Sequence, residues 1–237
     1  MMGRLRVLVP IAATAALLAV LAPDAAAAPV RMKAVEITTV PPTPEARFAL
    51  DDVPLVTDAS GVARTQVPRS VQPHRIALLT PSVRGEGSAS EFVRWYGAAD
   101  SDQVYSPVLE GVRIDHTLRL RVAFRESRVV TFAFVDQQRR PVDIGRVDSI
   151  ALRSDANQSQ TLDARLPVSL VAVRPSTVDG QLVGRAATYA VQSVMIDGAN
   201  VVNAGEQRFR PSQVGAQLVV VVLLRTAHLQ VRDRLLG

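Results

Sequence analysis

Thr117-Leu118-Arg119-Leu120-Arg121-Val122-Ala123-Phe124 is the stretch whose reading decides the fold. Its large apolar residues recur at every second position. Leu118, Leu120, Val122 and Phe124 therefore share one face of an extended chain, and Thr117, Arg119, Arg121 and Ala123 share the other. A helix would scatter the same four apolar side chains around its circumference. Val130, Phe132 and Phe134 repeat the period of two.

Working outward, Val35 and Ile37 alternate in Ala34 to Thr38, and Phe48 and Leu50 open another alternation. Val168 to Val173, Ala190 to Ile196 and Leu218 to Leu224 are apolar, β-branched runs of strand length. Turn signals separate the runs: Asp58-Ala59-Ser60-Gly61, Asp179-Gly180, Asp197-Gly198 and Asn203-Ala204-Gly205. Ser88 and Glu91 have capping-box spacing, so the segment through Phe92, Trp95, Tyr96 and Ala99 also fits a helix. The strand reading is preferred because its neighbours are strands, and it places Val93 and Trp95 on one face. The predicted fold class is all-β, with tandem antiparallel β-sandwich modules.

The N-terminus carries Arg4 and Arg6, an apolar run from Val7 to Ala22, and the small-residue row Ala25-Ala26-Ala27-Ala28 before Pro29. This is the layout of a secretory signal peptide over residues 1–28, with mature protein expected from Pro29. About 200 residues remain, enough for one large domain or two small ones. The chain has no cysteine, so an exported form has no disulfide, thiol nucleophile or thiolate metal site. The net charge of +5 is mildly basic and does not point to nucleic acid. Lys33 is the only lysine, so the basic residues are almost all arginine.

Pro81 to Ser88 is a small, polar, Gly/Ser-containing stretch and is expected to be a linker over 81–89. It divides a small module, 30–80, from a larger region, 90–237. Arg174 to Asp179 offers a further division of that region. Leu218 to Leu224 is too short to cross a bilayer as a helix. It is predicted to be a strand buried on both faces, followed by a partner strand through Leu229 and Val231. No C-terminal membrane anchor is expected within the chain, and the tail is a candidate edge for self-association.

The run Pro54-Leu55-Val56-Thr57-Asp58-Ala59-Ser60-Gly61-Val62-Ala63 resembles the turn of bacterial immunoglobulin-like and carboxypeptidase-regulatory-like (prealbumin-type) modules. Asp58 is suited to bond the backbone two residues on, and Gly61 to take a positive φ. Val129 to Asp136, Arg146 to Ile150 and Asp197 to Gln207 resemble secreted actinobacterial tandem β-sandwich proteins of uncharacterised function. These resemblances imply immunoglobulin-like or prealbumin-like sandwiches. Neither implies a reaction.

Catalytic signatures are few. His74, His116 and His228 stand far apart, without His-x-His or His-Glu-x-x-His spacing. No Gly-x-Ser-x-Gly elbow, P-loop or dinucleotide loop occurs. Asp51-Asp52, Asp58, and Asp100 with Asp102 are candidate calcium oxygens, without the spacing of a calcium loop. Lys33 invites an isopeptide bond to asparagine, yet none lies between Val30 and Thr80. No catalytic, metal or cofactor site is assigned, and no cofactor is expected.

Arg119, Arg121, Arg125 and Arg128 form a candidate face for anionic ligands, with Arg113, Arg139, Arg140 and Arg146 nearby. Trp95 and Tyr96 form a candidate carbohydrate contact, set against core packing for Trp95. The expected function is an exported cell-envelope or extracellular protein with a structural or protein-interaction role. A binding module for an anionic wall polymer or carbohydrate is the second reading, and an enzyme assembled from dispersed residues the third. The partner is expected to be a protein or envelope polymer.

Overall fold

The computed structural model describes residues 30–69, 72–97, 104–203 and 207–224. The expected signal peptide, Asp100, Asp102, His228 and the tail from Ala227 onward lie outside them. Described residues of the unit from Arg31 form strands almost throughout, with one short 3-10 helix, Ile144–Arg146. None of the described residues forms a helix long and apolar enough to cross a membrane.

In chain order the first strands are β1 (Met32–Val40), β2 (Arg47–Leu50), β3 (Val53–Val56), β4 (Val62–Pro68) and β5 (His74–Leu78). They are followed by β6 (Ser82–Gly85), β7 (Ser88–Tyr96), β8 (Val108–Val112), β9 (Leu118–Val135) and β10 (Pro141–Val142). The rest are β11 (Val147–Ser154), β12 (Ser159–Leu162), β13 (Val168–Val178), β14 (Gln181–Ala186), β15 (Tyr189–Ile196), β16 (Ala199–Asn200), β17 (Arg208–Phe209) and β18 (Gln217–Val221).

The stretch read first is the front half of β9, an 18-residue strand. At the usual rise it runs about 60 Å. Its neighbours change along its length. Arg121 to Ala123 pair with β1 on one edge and β7 on the other. Glu126 to Arg128 pair with β7 and β13, and Phe134 and Val135 with β10 and β18. β9 is thus the spine of a nine-stranded sheet that serves two sandwiches. The four-stranded sheet β3-β2-β5-β8 covers the first, and the sheet containing β12-β11-β15-β16 and β17 covers the second. Nearly all pairings are antiparallel, as expected. The β1–β9 and β18–β9 pairs are parallel, because their partners enter after long excursions through other strands.

The two cores separate inside β9. Leu120, Val122 and Phe124 enter the first, with Val35, Ile37, Phe48, Ile76 and Trp95. Val130, Phe132 and Phe134 enter the second, with Ile150, Leu152, Leu170 and Val194. Between them the core-facing parity passes through Glu126 and Arg128, which pair at 3.0 Å. Two charges on the apolar face mark the boundary.

That boundary differs from the expected one. Residues 81–89 form the β6–β7 hairpin, with Gly85 opposite Ser88 and Gly87 at φ 67° in the turn. Their polar composition suits an outlying hairpin with one face in water. The segment 30–80 is not self-contained, because β8 completes its small sheet and Trp95, Ile114 and β9 fill its core. Residues 174–179 lie in the β13–β14 hairpin, turned by Asp179 and Gly180 at positive φ.

Three face assignments also change. A register shift between Phe92 and Arg94 bulges β7, so Phe92 and Trp95, rather than Val93 and Trp95, share the core face. Their rings meet edge-on at 6.2 Å. Ala123 is buried although it lies on the outer parity. The run expected to be buried on both faces is one-sided: Val220 of β18 and Val222 just after it are buried, while Val219 is 51% exposed.

Candidate functional site

The turn after β3 behaves as its residues dictate. Asp58 Oδ1 accepts the amides of Ser60 at 2.9 Å and Val62 at 3.0 Å. Gly61 sits at φ 74°, and a Cβ there would meet Thr39 Oγ1 at 2.4 Å and the Pro42 Cα at 2.8 Å. Buried threonines tie this turn to the loop before β2. Thr39 Oγ1 donates to Gly61 O and accepts from the Thr43 amide, while Thr57 Oγ1 donates to Thr43 O. Asp58 is held below the ordinary carboxylate range, first by the Ser60 hydroxyl and then by the Val62 amide. These bonds lock the loop.

His74 Nδ1 lies 2.8 Å from Asp51 Oδ2, and Asp51 Oδ1 accepts the Arg75 amide at 2.9 Å. The Arg75 amide, then the His74 imidazole, lower the Asp51 pKa. The pair clasps the β2–β3 turn to β5. His116 pairs with Asp115 at the surface. Among the described residues no group of three or more His, Asp or Glu is placed to hold a metal.

The predicted arginine face divides. Arg125 pairs with Glu91 across β7–β9. Arg128 lies on the opposite parity, paired with Glu126. Nearby, Arg140 pairs with Asp136 and Arg146 with Asp197. Arg119 and Arg121 remain on the outer face. Arg119 stands in register with Glu36, which is in register with Arg64 on its other side. Glu36 takes a hydrogen bond from Arg64 Nε at 2.9 Å. This row of three strands thus reads Arg64–Glu36–Arg119, positive, negative, positive.

Trp95 is fully buried and its indole N–H donates to Ser106 O at 3.0 Å, so it is no carbohydrate contact. Its ring packs 5.8 Å from Phe48, because a large apolar surface gains more from the core than from water. Tyr96 reaches instead to the β13–β14 turn, where its hydroxyl donates to Gly180 O at 3.3 Å.

The second sandwich holds an arginine cluster that sequence reading missed. Register places Arg153 of β11, Ala190 of β15 and Arg208 of β17 side by side on the outer face. The row beneath, Ser154–Tyr189–Phe209, faces the core, with Tyr189 and Phe209 stacked at 5.7 Å. Burial pushes the Tyr189 hydroxyl pKa up. Both rows line an open groove of about 830 Å³, Ala190 with the two arginines and Tyr189 with Phe209, and its lining also includes Arg185 and Arg210. Arg153 is held by the neutral side chain of Asn157. The groove's one lining carboxylate, Asp155, pairs with Arg174. No ion-pair partner for Arg153, Arg185, Arg208 or Arg210 occurs among the described residues. These arginines come from three separate segments, Arg153 of β11, Arg185 of β14 and Arg208-Phe209-Arg210 at β17, so no single local motif announces the cluster.

No family model matches the chain, and no curated protein matches it. Two solved structures show distant likeness. A streptococcal ancillary pilin has 11% identity, 82% coverage of this chain and 63% of its own, and a TM-score of 0.24. A leucine-rich repeat protein from Bacteroides thetaiotaomicron has 11% identity, 82% and 26% coverage, and a TM-score of 0.19. The chain spans less than two thirds of either structure. Scores this low carry no weight for function, and the fold rests on the strands described above.

Proposed function

We propose that this chain is an exported structural and interaction protein of the cell envelope or extracellular space, acting as a rigid two-sandwich support. The observation that carries the reading is β9. One uninterrupted 18-residue strand contributes to both cores, so the sandwiches meet without a linker. Modules joined by a flexible linker reorient freely; modules sharing a hydrogen-bonded strand do not. Such a unit holds its two ends at a fixed spacing. Export rests on the Arg4 to Ala28 leader pattern.

Two measurements test it. The absence of cysteine allows a label pair at Asp52→Cys and Ala156→Cys, one in a turn of each sandwich. A single narrow distance distribution by pulsed electron spin resonance is expected. A broad one overturns the rigid support. N-terminal sequencing of protein recovered from the envelope or medium should begin at or near Pro29. Full-length protein retained in the cytoplasm overturns export.

A further inference from the structure

We infer that the groove over Ala190 binds an extended polymer bearing repeated oxyanions, phosphate or carboxylate, through Arg153, Arg208, Arg185 and Arg210. This stands apart from the support role, so either can fail alone.

Four observations converge. First, the register fixes Arg153 and Arg208 on one face with Ala190 between them. Two strand spacings separate their backbones by about 10 Å, and the alanine leaves the space between open. Second, the equivalent row on the first sandwich, Arg64–Glu36–Arg119, has its own carboxylate at the centre. The Ala190 row lacks that internal counter-ion. Third, the four cations share one concavity, whose carboxylate, Asp155, is engaged by Arg174. Fourth, a guanidinium presents a planar fork that matches carboxylate and phosphate oxygens in pairs.

The spacing argues for a polymer. Cations across the floor and lining of an open groove are best met by successive charges on one chain, since each engagement raises the effective concentration of the next. The open form also suits an extended strand. Arg153 is braced by Asn157, so part of its ordering cost is met before the ligand arrives.

The test is binding of the intact protein to inorganic polyphosphate, polyglutamate and neutral dextran, followed by calorimetry at low and high salt. Binding to polyphosphate alone identifies a phosphate polymer, and to polyglutamate alone a carboxylate polymer. Binding to both supports oxyanion recognition, and each supporting interaction should weaken with salt. Ala190→Glu installs the missing carboxylate and should weaken binding about tenfold or more. Arg208→Ala should weaken it in the same direction, while Arg121→Ala leaves it unchanged. Melting curves identify the folded variants. Arg153→Gln, which keeps a polar side chain beside Asn157, gives a second readout should Ala190→Glu fail to fold. The inference is overturned if neither polyanion binds, if dextran binds equally, or if the folded groove variants bind like the parent. Equal losses from Arg121→Ala and Arg208→Ala would also overturn it, by making the attraction one of net charge.

Discussion

The two sandwiches share a spine yet treat their outer faces differently. The first sets a carboxylate into its outer row: Glu36 lies between Arg64 and Arg119 and pairs with Arg64, and Arg125 is matched by Glu91. The second sets Ala190 between Arg153 and Arg208 and leaves both without a carboxylate partner among the described residues. Inside, the first core is closed by Phe48, Phe92, Trp95 and Phe124 and clamped by buried threonine hydrogen bonds. The second stacks Tyr189 on Phe209 in the lining of the groove. The central residue of each three-strand row thus differs in charge: a carboxylate in the first sandwich and an alanine in the second.

The largest effect tests whether the shared spine couples the cores. Leu120 and Phe132 are buried in different cores on the same strand. An aspartate at either position buries an unpaired carboxylate, costing several kcal/mol against a total of roughly 5–15. Trp95 is the only tryptophan and lies in the first core, so its fluorescence follows that core alone. Leu120→Asp should abolish its cooperative melt. Phe132→Asp should lower the same melt from the other sandwich, and an unchanged Trp95 transition would mean the cores are independent. Arg121→Asp, on the exposed face, should leave both nearly intact.

Next comes the clamp found only in the first sandwich. Gly61→Ala forces a side chain at φ 74° against Thr39 and the Pro42 backbone. A loss of about 1–3 kcal/mol is expected from chemical denaturation. Polyphosphate binding should be unaffected.

Reversing the charge pattern is gentler. Glu36→Ala removes an ion pair that is partly exposed on both sides, worth about 0–1 kcal/mol. It should also give the first sandwich a row like Arg153–Ala190–Arg208 and add a second, weaker polyphosphate site by calorimetry. That row lines an open concavity of its own, about 400 Å³, so unchanged stoichiometry would show that two flanking arginines are not enough without the further cations supplied by Arg185 and Arg210.

The smallest effect is acid sensitivity in the first sandwich. Asp51 has its folded pKa depressed by the Arg75 amide and then by His74. Its contribution is therefore complete above the unfolded carboxylate value of about 3.9 and is lost as pH falls through the lower folded value. Asp51→Asn should slightly lower the melting temperature at neutral pH and flatten its fall below about pH 4. Parallel curves for parent and variant would remove Asp51 from the acid response.

Much of the fold was legible because burial on a strand prints itself at every second residue. Leu120, Val122, Phe124, Val130, Phe132 and Phe134 could be assigned to core faces, and Asp179-Gly180 and Asp197-Gly198 to turns, from local chemistry alone. The boundary between the cores was also written in the chain, at Glu126 and Arg128, where the apolar period is interrupted. It was obscured by the more linker-like composition of 81–89. What only the tertiary structure decided was pairing. A period of two says which face a residue takes and nothing about which distant strand lies beside it. The bulge joining Phe92 to Trp95, the carboxylate set between Arg64 and Arg119, and the gathering of Arg153, Arg185, Arg208 and Arg210 around Ala190 all depend on long-range register. Register is set by the summed packing of both cores, so no local stretch of sequence contains it.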